Sequence, residues 1–392
     1  GKIMLMKSEN DEVISQVRET VQRVCEEFDG EYWREKDRER AYPTEFVNKL
    51  TELGLLASLI PEEYGGSGLS ISVGSEILKA IHEFGANASA CHAQMYTMGT
   101  VLRHGSDEQK AQFLPKIASG ELRLQAFGVT EPTAGTDTTS LTTTATKTDD
   151  GYLINGQKIW TSRAEHSDLM VLLARTTPKE KVSKKSQGLS VFLLDMNDAK
   201  KNGMTIQPIR TMLNHSTTQI FFDNVPIPDS ALVGEEGKGF KYILSGMNAE
   251  RILIAAECIG DARWFISKAT QYSKEREVFG RPIGQNQGIQ FPIARAFAET
   301  EAAEAILDKA CYFYEEGDTS GTYANMAKLL SSEASWSAAE ICMQAHGGFA
   351  VAEEYDVERK FRETRLYQIA PISTNLILSY LAEHELGLPR SY

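Results

Sequence analysis

The feature that most constrains this chain is the place where its periodicity changes. Up to about residue 124, apolar residues recur at three- and four-residue spacing, as in "DEVISQVRETVQRVCEEFDGEYW", the pattern of amphipathic helices. From about 125 the texture turns dense in Thr, Gly and Asp. It carries short β-like runs: "SDLMVLLART", "LSVFLLDM", "MTIQPIR" and "TTQIFFDNVPIP". From "GEEGKGFKYIL" helical periodicity returns and lasts to the end. Helices, then strands, then helices predict an α+β protein, and the absence of alternation excludes a βαβ fold. The predicted domains are 1–124 (N-terminal helical), 125–233 (middle β) and 234–392 (C-terminal helical).

Local signals agree with this division. Pro43-Thr44-Glu45 predicts a helix entry, Gly54 a stop, and Ser106 followed by acids a helix cap. "DDG" (149–151) and "NG" (155–156) both predict hairpin turns. The glycines of "GEEGKG" (234–239) follow no strand into a βαβ unit and precede no GK[ST]. They predict a loop into a helix, not a phosphate cradle.

The 392 residues suffice for two or three domains with a substantial core. A net charge of −13 argues against a broad basic face and so against nucleic acid as a partner. The basic run "PKEKVSKKS" (178–186) reads as a solvated loop. No apolar segment approaches the roughly 18 residues that span a bilayer, so no membrane is expected. The five cysteines are scattered and the seven histidines lack HExxH spacing. A reducing compartment is therefore expected, with no disulfide framework and no metal. Cytoplasmic residence in a bacterium is the first expectation, the mitochondrial matrix the second.

Several segments together carry a resemblance. "LGLLASLIPEEYGGSGLS" (53–70), "HGSDEQKAQFLPKIASGE" (104–121), "GVTEPTAGTDTTS" (128–140), "INGQKIWTS" (154–162), "VPIPDSALVGEEGKGF" (225–240), "YSKEREVFGRPIGQNQ" (272–287) and "QAHGGFAVAEEYDVERKFRE" (344–363) follow in order over nearly the whole chain. The chain resembles the acyl-CoA dehydrogenases. The resemblance implies an N-terminal helical domain, a central β-domain and a C-terminal four-helix bundle. It also implies noncovalent FAD and oxidation of the Cα–Cβ bond of an acyl-CoA thioester. A carboxylate removes the α-proton, and the β-hydrogen passes to flavin N5. A homotetramer (dimer of dimers) and an electron-transfer flavoprotein as acceptor are implied as well.

By resemblance, Phe127, Val129 and Thr130 meet the isoalloxazine and Thr136 the pyrophosphate. Trp160 lies against the flavin, and Ser162, a Thr in most relatives, keeps a hydroxyl. Arg276, Phe279 and Gln287 reach the FAD of a neighbouring subunit. Gln344, Gly347 and Gly348 belong to the second signature, where Ala350 replaces the usual third glycine. Ser373 and Asn375 are further cofactor positions. Thr136, Asn248 and Arg251 are the substrate-binding candidates, and His346 reads as structural.

The base is displaced from its commonest position. Where most relatives have Tyr-Glu-Gly-Thr, this chain has Ala370-Pro371-Ile372-Ser373, and proline takes no proton. The isovaleryl-CoA and long-chain branches carry the base on another helix, in a context matched by "NAERILIA" (248–255). Glu250 is then the expected base. Two other readings stay open. Glu250, Glu257 and Asp261 share a helical face, as a solvated acidic stripe would. Pro371 also lacks the N–H that in relatives holds the thioester oxygen. A flavin oxidase, an elimination, or a catalytically silent FAD-binding protein are therefore the alternatives. No arginine within "ACHAQMYTMGT" is clearly placed for a dicarboxylic acyl tail, although Arg103 is near.

Overall fold

The computed structural model describes residues 2–135 and 137–391. Six helices come first: α1 (Lys2–Glu27), α2 (Gly30–Glu39), α3 (Thr44–Glu52), α4 (Ile71–Glu83), α5 (Ser89–His104) and α6 (Asp107–Ser119). Eight strands follow, interrupted once: β1 (Leu124–Gly128), β2 (Thr144–Lys147), β3 (Gly151–Ser162), β4 (Leu169–Arg175), β5 (Leu189–Asp195), α7 (Met196–Lys201), β6 (Met204–Pro208), β7 (Thr217–Pro228) and β8 (Leu232–Val233). The remainder holds α8 (Gly239–Ser245), α9 (Met247–Glu275), the small hairpin β9 (Glu277–Val278) and β10 (Arg281–Pro282), α10 (Gln287–Glu315), α11 (Thr322–His346), α12 (Val357–Arg365) and α13 (Thr374–Tyr380). Helical, β and helical segments thus follow in the expected order.

Two compact units form. One is built from Gly1–Glu39, Ser70–Ala88 and Asn248–Tyr392, the other from Arg40–Leu69 and Ser89–Met247.

In the second unit the sheet runs β6-β7-β3-β2-β4-β5-β8, with β1 added parallel to β4. The apolar runs of β4 and β5 are explained by burial on both faces. Leu169, Val171 and Leu173 pack with Met98, Val101, Leu114 and Ile117 of α5 and α6. The alternate residues Met170, Leu172 and Ala174 pack with Ile154, Ile220 and Phe222 of β3 and β7. Ser106 caps α6, as its sequence predicts, and the structure adds a reciprocal box with Gln109. "DDG" turns β2 into β3, but "NG" makes no turn. Asn155 and Gly156 lie inside β3 at a register shift against β7. There Gly156 takes φ +145°, and a Cβ would stand 2.5 Å from the Thr143 hydroxyl. The glycine serves a bulge and a close backbone approach.

In the first unit α9 is a core helix, with almost every residue from Ala249 to Ala262 buried. Gly260 brings it against α4, where a Cβ would meet the Lys79 carbonyl at 2.2 Å. Glu257 and Asp261 are buried with it, so the face they share with Glu250 is no solvated stripe. Asp261 bonds His82 Nδ1 of α4 at 2.8 Å, Lys360 Nζ of α12 at 2.6 Å and the Thr364 hydroxyl at 2.7 Å. His82 Nε2 accepts the Ala88 N–H at 3.0 Å. Burial alone would push the Asp261 carboxyl up. The Lys360 ammonium and the His82 donor overcome it and hold it well below the ordinary range.

No helix among the described residues is long and apolar enough to cross a membrane. No group of three or more His, Cys, Asp or Glu among them is placed to hold a metal.

Candidate active site

In the β-containing unit, β1 delivers Phe127 and runs into the 129–135 segment. Phe127 packs edge-on against Tyr96 of α5, ring centres 5.0 Å apart. The segment is held from below by a buried ion pair. Lys158, fully buried on β3, donates to Glu131 Oε2 at 2.7 Å and to the Val129 carbonyl at 3.1 Å. Glu131 also accepts the Thr142 N–H at 2.7 Å and the Thr143 N–H at 3.1 Å. Burial would raise the Glu131 carboxyl, but Lys158 and these donors keep it below its ordinary range.

From above, the Ile159 N–H donates to the Thr130 carbonyl at 2.9 Å. Ile159 can do so because β3 slips register against β7 between Lys158 and Thr161. The same bulge gives Trp160 φ +57° and turns its indole outward, 58 % exposed. Ser162 rejoins the ladder opposite Thr217. The Thr130 hydroxyl bonds no described residue, and nothing lies within 4 Å of where a Gly135 Cβ would stand. Thr136 lies outside the described residues.

In the helical unit, Glu250 sits in the first turn of α9, partly buried, with buried Arg251 beside it. Asn248 places its amide on the carbonyls of Thr319 and Ser320, at 3.3 and 3.0 Å. Lys328 of α11, fully buried, donates to the carbonyls of Tyr367 and Ile372, the latter at 2.8 Å. Burial pushes the Lys328 ammonium down, and Cys258 and Glu250 pull it back while Arg251 opposes. One lysine thus grips the segment that carries Pro371 and feels the charge of Glu250. Tyr367 is buried against Ile254 and Cys258, and its hydroxyl donates to Glu257 at 3.2 Å. The Ile372 N–H donates to no described residue.

The remaining predicted positions lie further along this unit. Phe279 and Gly280 form the β9–β10 turn with φ +55° and +79°, which leaves the Phe279 ring wholly in solvent. The Arg276 guanidinium lies 5.6 Å from the Phe349 ring centre. Gln287 opens α10, and Gln344 lines a groove of about 550 Å³ with Gly288, Ile289, Pro292 and Phe361. Gly347 ends α11 at φ +58°, and Gly347 and Gly348 both face open space. Ala350 is buried at a negative φ, so an alanine fits there without strain. The Ser373 hydroxyl caps α13 by accepting the Leu376 N–H, and Asn375 is exposed on that helix. His346 stacks on Tyr272 at 4.1 Å.

In the β-containing unit, an outward indole, a hydroxyl that bonds no described residue, and Gly135 beside open space where a Cβ would intrude fit a flavin. Sequence reasoning missed Lys158, Glu131, Lys328 and Tyr367 as the groups that hold the site in shape. The signals were present. Lys158 stands two and four residues from Gly156 and Ile154 on the inward face of β3, and Lys328 interrupts the apolar face of "NMAKLL".

Models of one family match along most of the chain. The acyl-CoA dehydrogenase N-terminal, middle and C-terminal domain families match residues 11–121, 126–225 and 237–384. The acyl-CoA dehydrogenase fadE12 of Mycobacterium bovis is 34 % identical over 384 residues, 96 % of each chain. A solved glutaryl-coenzyme A dehydrogenase–glutaryl-CoA complex superposes with TM-score 0.88 at 29 % identity, covering 96 % of both chains. An FAD complex of PigA superposes with TM-score 0.88 at 25 % identity, covering 96 % of this chain and 97 % of its own.

Proposed function

This chain belongs to the acyl-CoA dehydrogenase family of flavoprotein oxidoreductases, and we propose that it desaturates an acyl-CoA thioester at Cα–Cβ with Glu250 as the base. The observation that carries this reading is the reach of Lys328, which holds the Pro371 segment and senses Glu250. A carboxylate on α9 within electrostatic reach of the lysine that holds the Pro371 segment supports the reading.

The cofactor is FAD, which when bound supplies the two-electron acceptor for the departing β-hydrogen. Trp160, the Thr130 hydroxyl and the 129–135 backbone orient it from the β-containing unit. Gln344, Gly347 and Gly348, with Arg276, Phe279 and Gln287, offer the contacts expected of a neighbouring subunit in a homotetramer.

Glu250 takes the α-proton onto a carboxylate oxygen. Negative charge then develops on the thioester oxygen, and a donor there lowers the barrier by about 3–4 kcal/mol. Pro371 has no N–H to give. The Ile372 N–H, one residue on, donates to no described residue, and the carbonyl of the same residue is held by Lys328. We assign it the oxyanion role. The electrons leave to an electron-transfer flavoprotein.

The test is anaerobic titration of the yellow protein with a panel of straight, branched and cyclic acyl-CoAs. Bleaching of the flavin by at least one of them supports the reading. Flavin that stays oxidised across the panel overturns it in favour of a silent flavoprotein. Peroxide release in air without an acceptor protein marks an oxidase instead.

A further inference from the structure

Arg103 ends α5 with its guanidinium in a niche, and nothing in the mechanism uses it. Its Nε and Nη2 are buried and bond no described residue. The niche is made by missing side chains. A Cβ on Gly99 would stand 2.7 Å from Nη1, and one on Gly246 2.6 Å from Nη2. Either side chain would take the place the guanidinium occupies. Tyr96, whose ring also touches Phe127, lies 3.5 Å from the Gly246 position and forms a wall.

The surroundings are cationic, against a chain charge of −13. Neighbouring His104 is pushed down by burial and then by Arg103, Lys110 and Lys241, with no acid opposing them. Two buried guanidinium nitrogens without partners are costly, and an oxyanion with two oxygens is the ligand the fork fits.

We propose that Arg103, with Gly99 and Gly246 shaping the niche, is an anion subsite for an oxyanion carried by the thioester substrate. Two sources share this chemistry: a carboxylate on the acyl group, and a phosphate of the coenzyme arm. The proposal rests on the reading above for the thioester, but not for the anion.

The experiment measures dissociation constants by calorimetry on full-length, flavin-loaded protein in a Glu250→Gln background. The probes are hexanoyl-CoA, adipyl-CoA, which adds a terminal carboxylate, and hexanoyl-N-acetylcysteamine, which lacks every phosphate. If the acyl carboxylate is the ligand, adding Arg103→Met shrinks the adipyl-over-hexanoyl preference by about 10- to 100-fold. If phosphate is the ligand, the preference for hexanoyl-CoA over the cysteamine thioester shrinks instead. Arg103→Lys falls between. Gly246→Ala, which keeps the cation but displaces it, weakens the same ratio. Flavin content and melting temperature report folding for each variant. The proposal is overturned if both ratios stay within twofold of the parent in Arg103→Met, or if all three probes weaken equally. Turnover surviving in the Glu250→Gln parent would fail the base assignment alone and leave the binding ratios to decide.

Discussion

The buried ammonium of Lys328 takes the carbonyl of Ile372 at 2.8 Å and, with its bond to Tyr367, spans the segment containing Pro371. Its coupling to Glu250 is reciprocal. Glu250 favours the charged lysine, so Lys328 favours the ionised carboxylate. Lys328→Met removes that help and leaves two carbonyls without their donor, each costing about 1–3 kcal/mol if it stays buried. The rising limb of kcat/KM against pH is expected to move to higher pH, besides any fall in melting temperature. A lower melting temperature with an unmoved limb would make Lys328 purely structural.

Glu250→Gln is expected to lower the rate of flavin bleaching by about 10²–10⁴-fold while FAD stays bound, the usual worth of a general base. Glutamine keeps the shape and a hydrogen bond but takes no proton. Adding Pro371→Glu puts a carboxylate where most relatives have one and restores a backbone N–H. The double variant should regain part of the lost rate. Stopped-flow absorbance at the flavin band decides, and a fully active Glu250→Gln protein would end the assignment.

Glu250 and its neighbours also show what was legible in the sequence. The change of texture near 125 and 233 marked the order helices, strands, helices because periodicity is a local signal. The cap at Ser106 and the hairpin at "DDG" were legible for the same reason. "NG" misled, because a two-residue signal cannot distinguish a turn from a bulge whose glycine meets Thr143 across the sheet. The buried charges were invisible for a related reason. Glu257, Asp261 and Glu250 look alike in sequence. What separates them is Lys360, some hundred residues away, on Asp261, and Lys328 near Glu250. Partners at that separation leave no periodic trace.

Lys158→Met is expected to strip the protein of flavin. It leaves the Glu131 carboxylate buried with only Thr142 and Thr143 as partners, and breaking such a pair costs about 3–5 kcal/mol. The 129–131 backbone then loses the support that sets it against the Trp160 bulge. Flavin released per protein, read from absorbance after desalting, should rise, and the melting temperature should fall. Replacing both partners at once, with Lys158→Met and Glu131→Leu, should recover stability better than flavin content. A pair that served packing alone would recover both.

The network around Asp261 predicts the acid limit of the fold. Its carboxyl is held below the ordinary range in the folded protein, chiefly by Lys360 once burial is overcome. A depressed folded pKa contributes stability that is fully present above the unfolded value of about 4 and is lost as pH falls below it. Asp261→Asn leaves the Lys360 ammonium buried without its carboxylate, so at pH 7 it is expected to cost about 3–5 kcal/mol. The gap in melting temperature between the two proteins should be widest above pH 5 and narrow steadily below pH 4, where the unfolded chain takes up a proton that the folded carboxyl does not. Melting curves between pH 3 and 8 provide the comparison. A gap that stays constant across that range would mean that Asp261 stabilises by shape and hydrogen bonding alone.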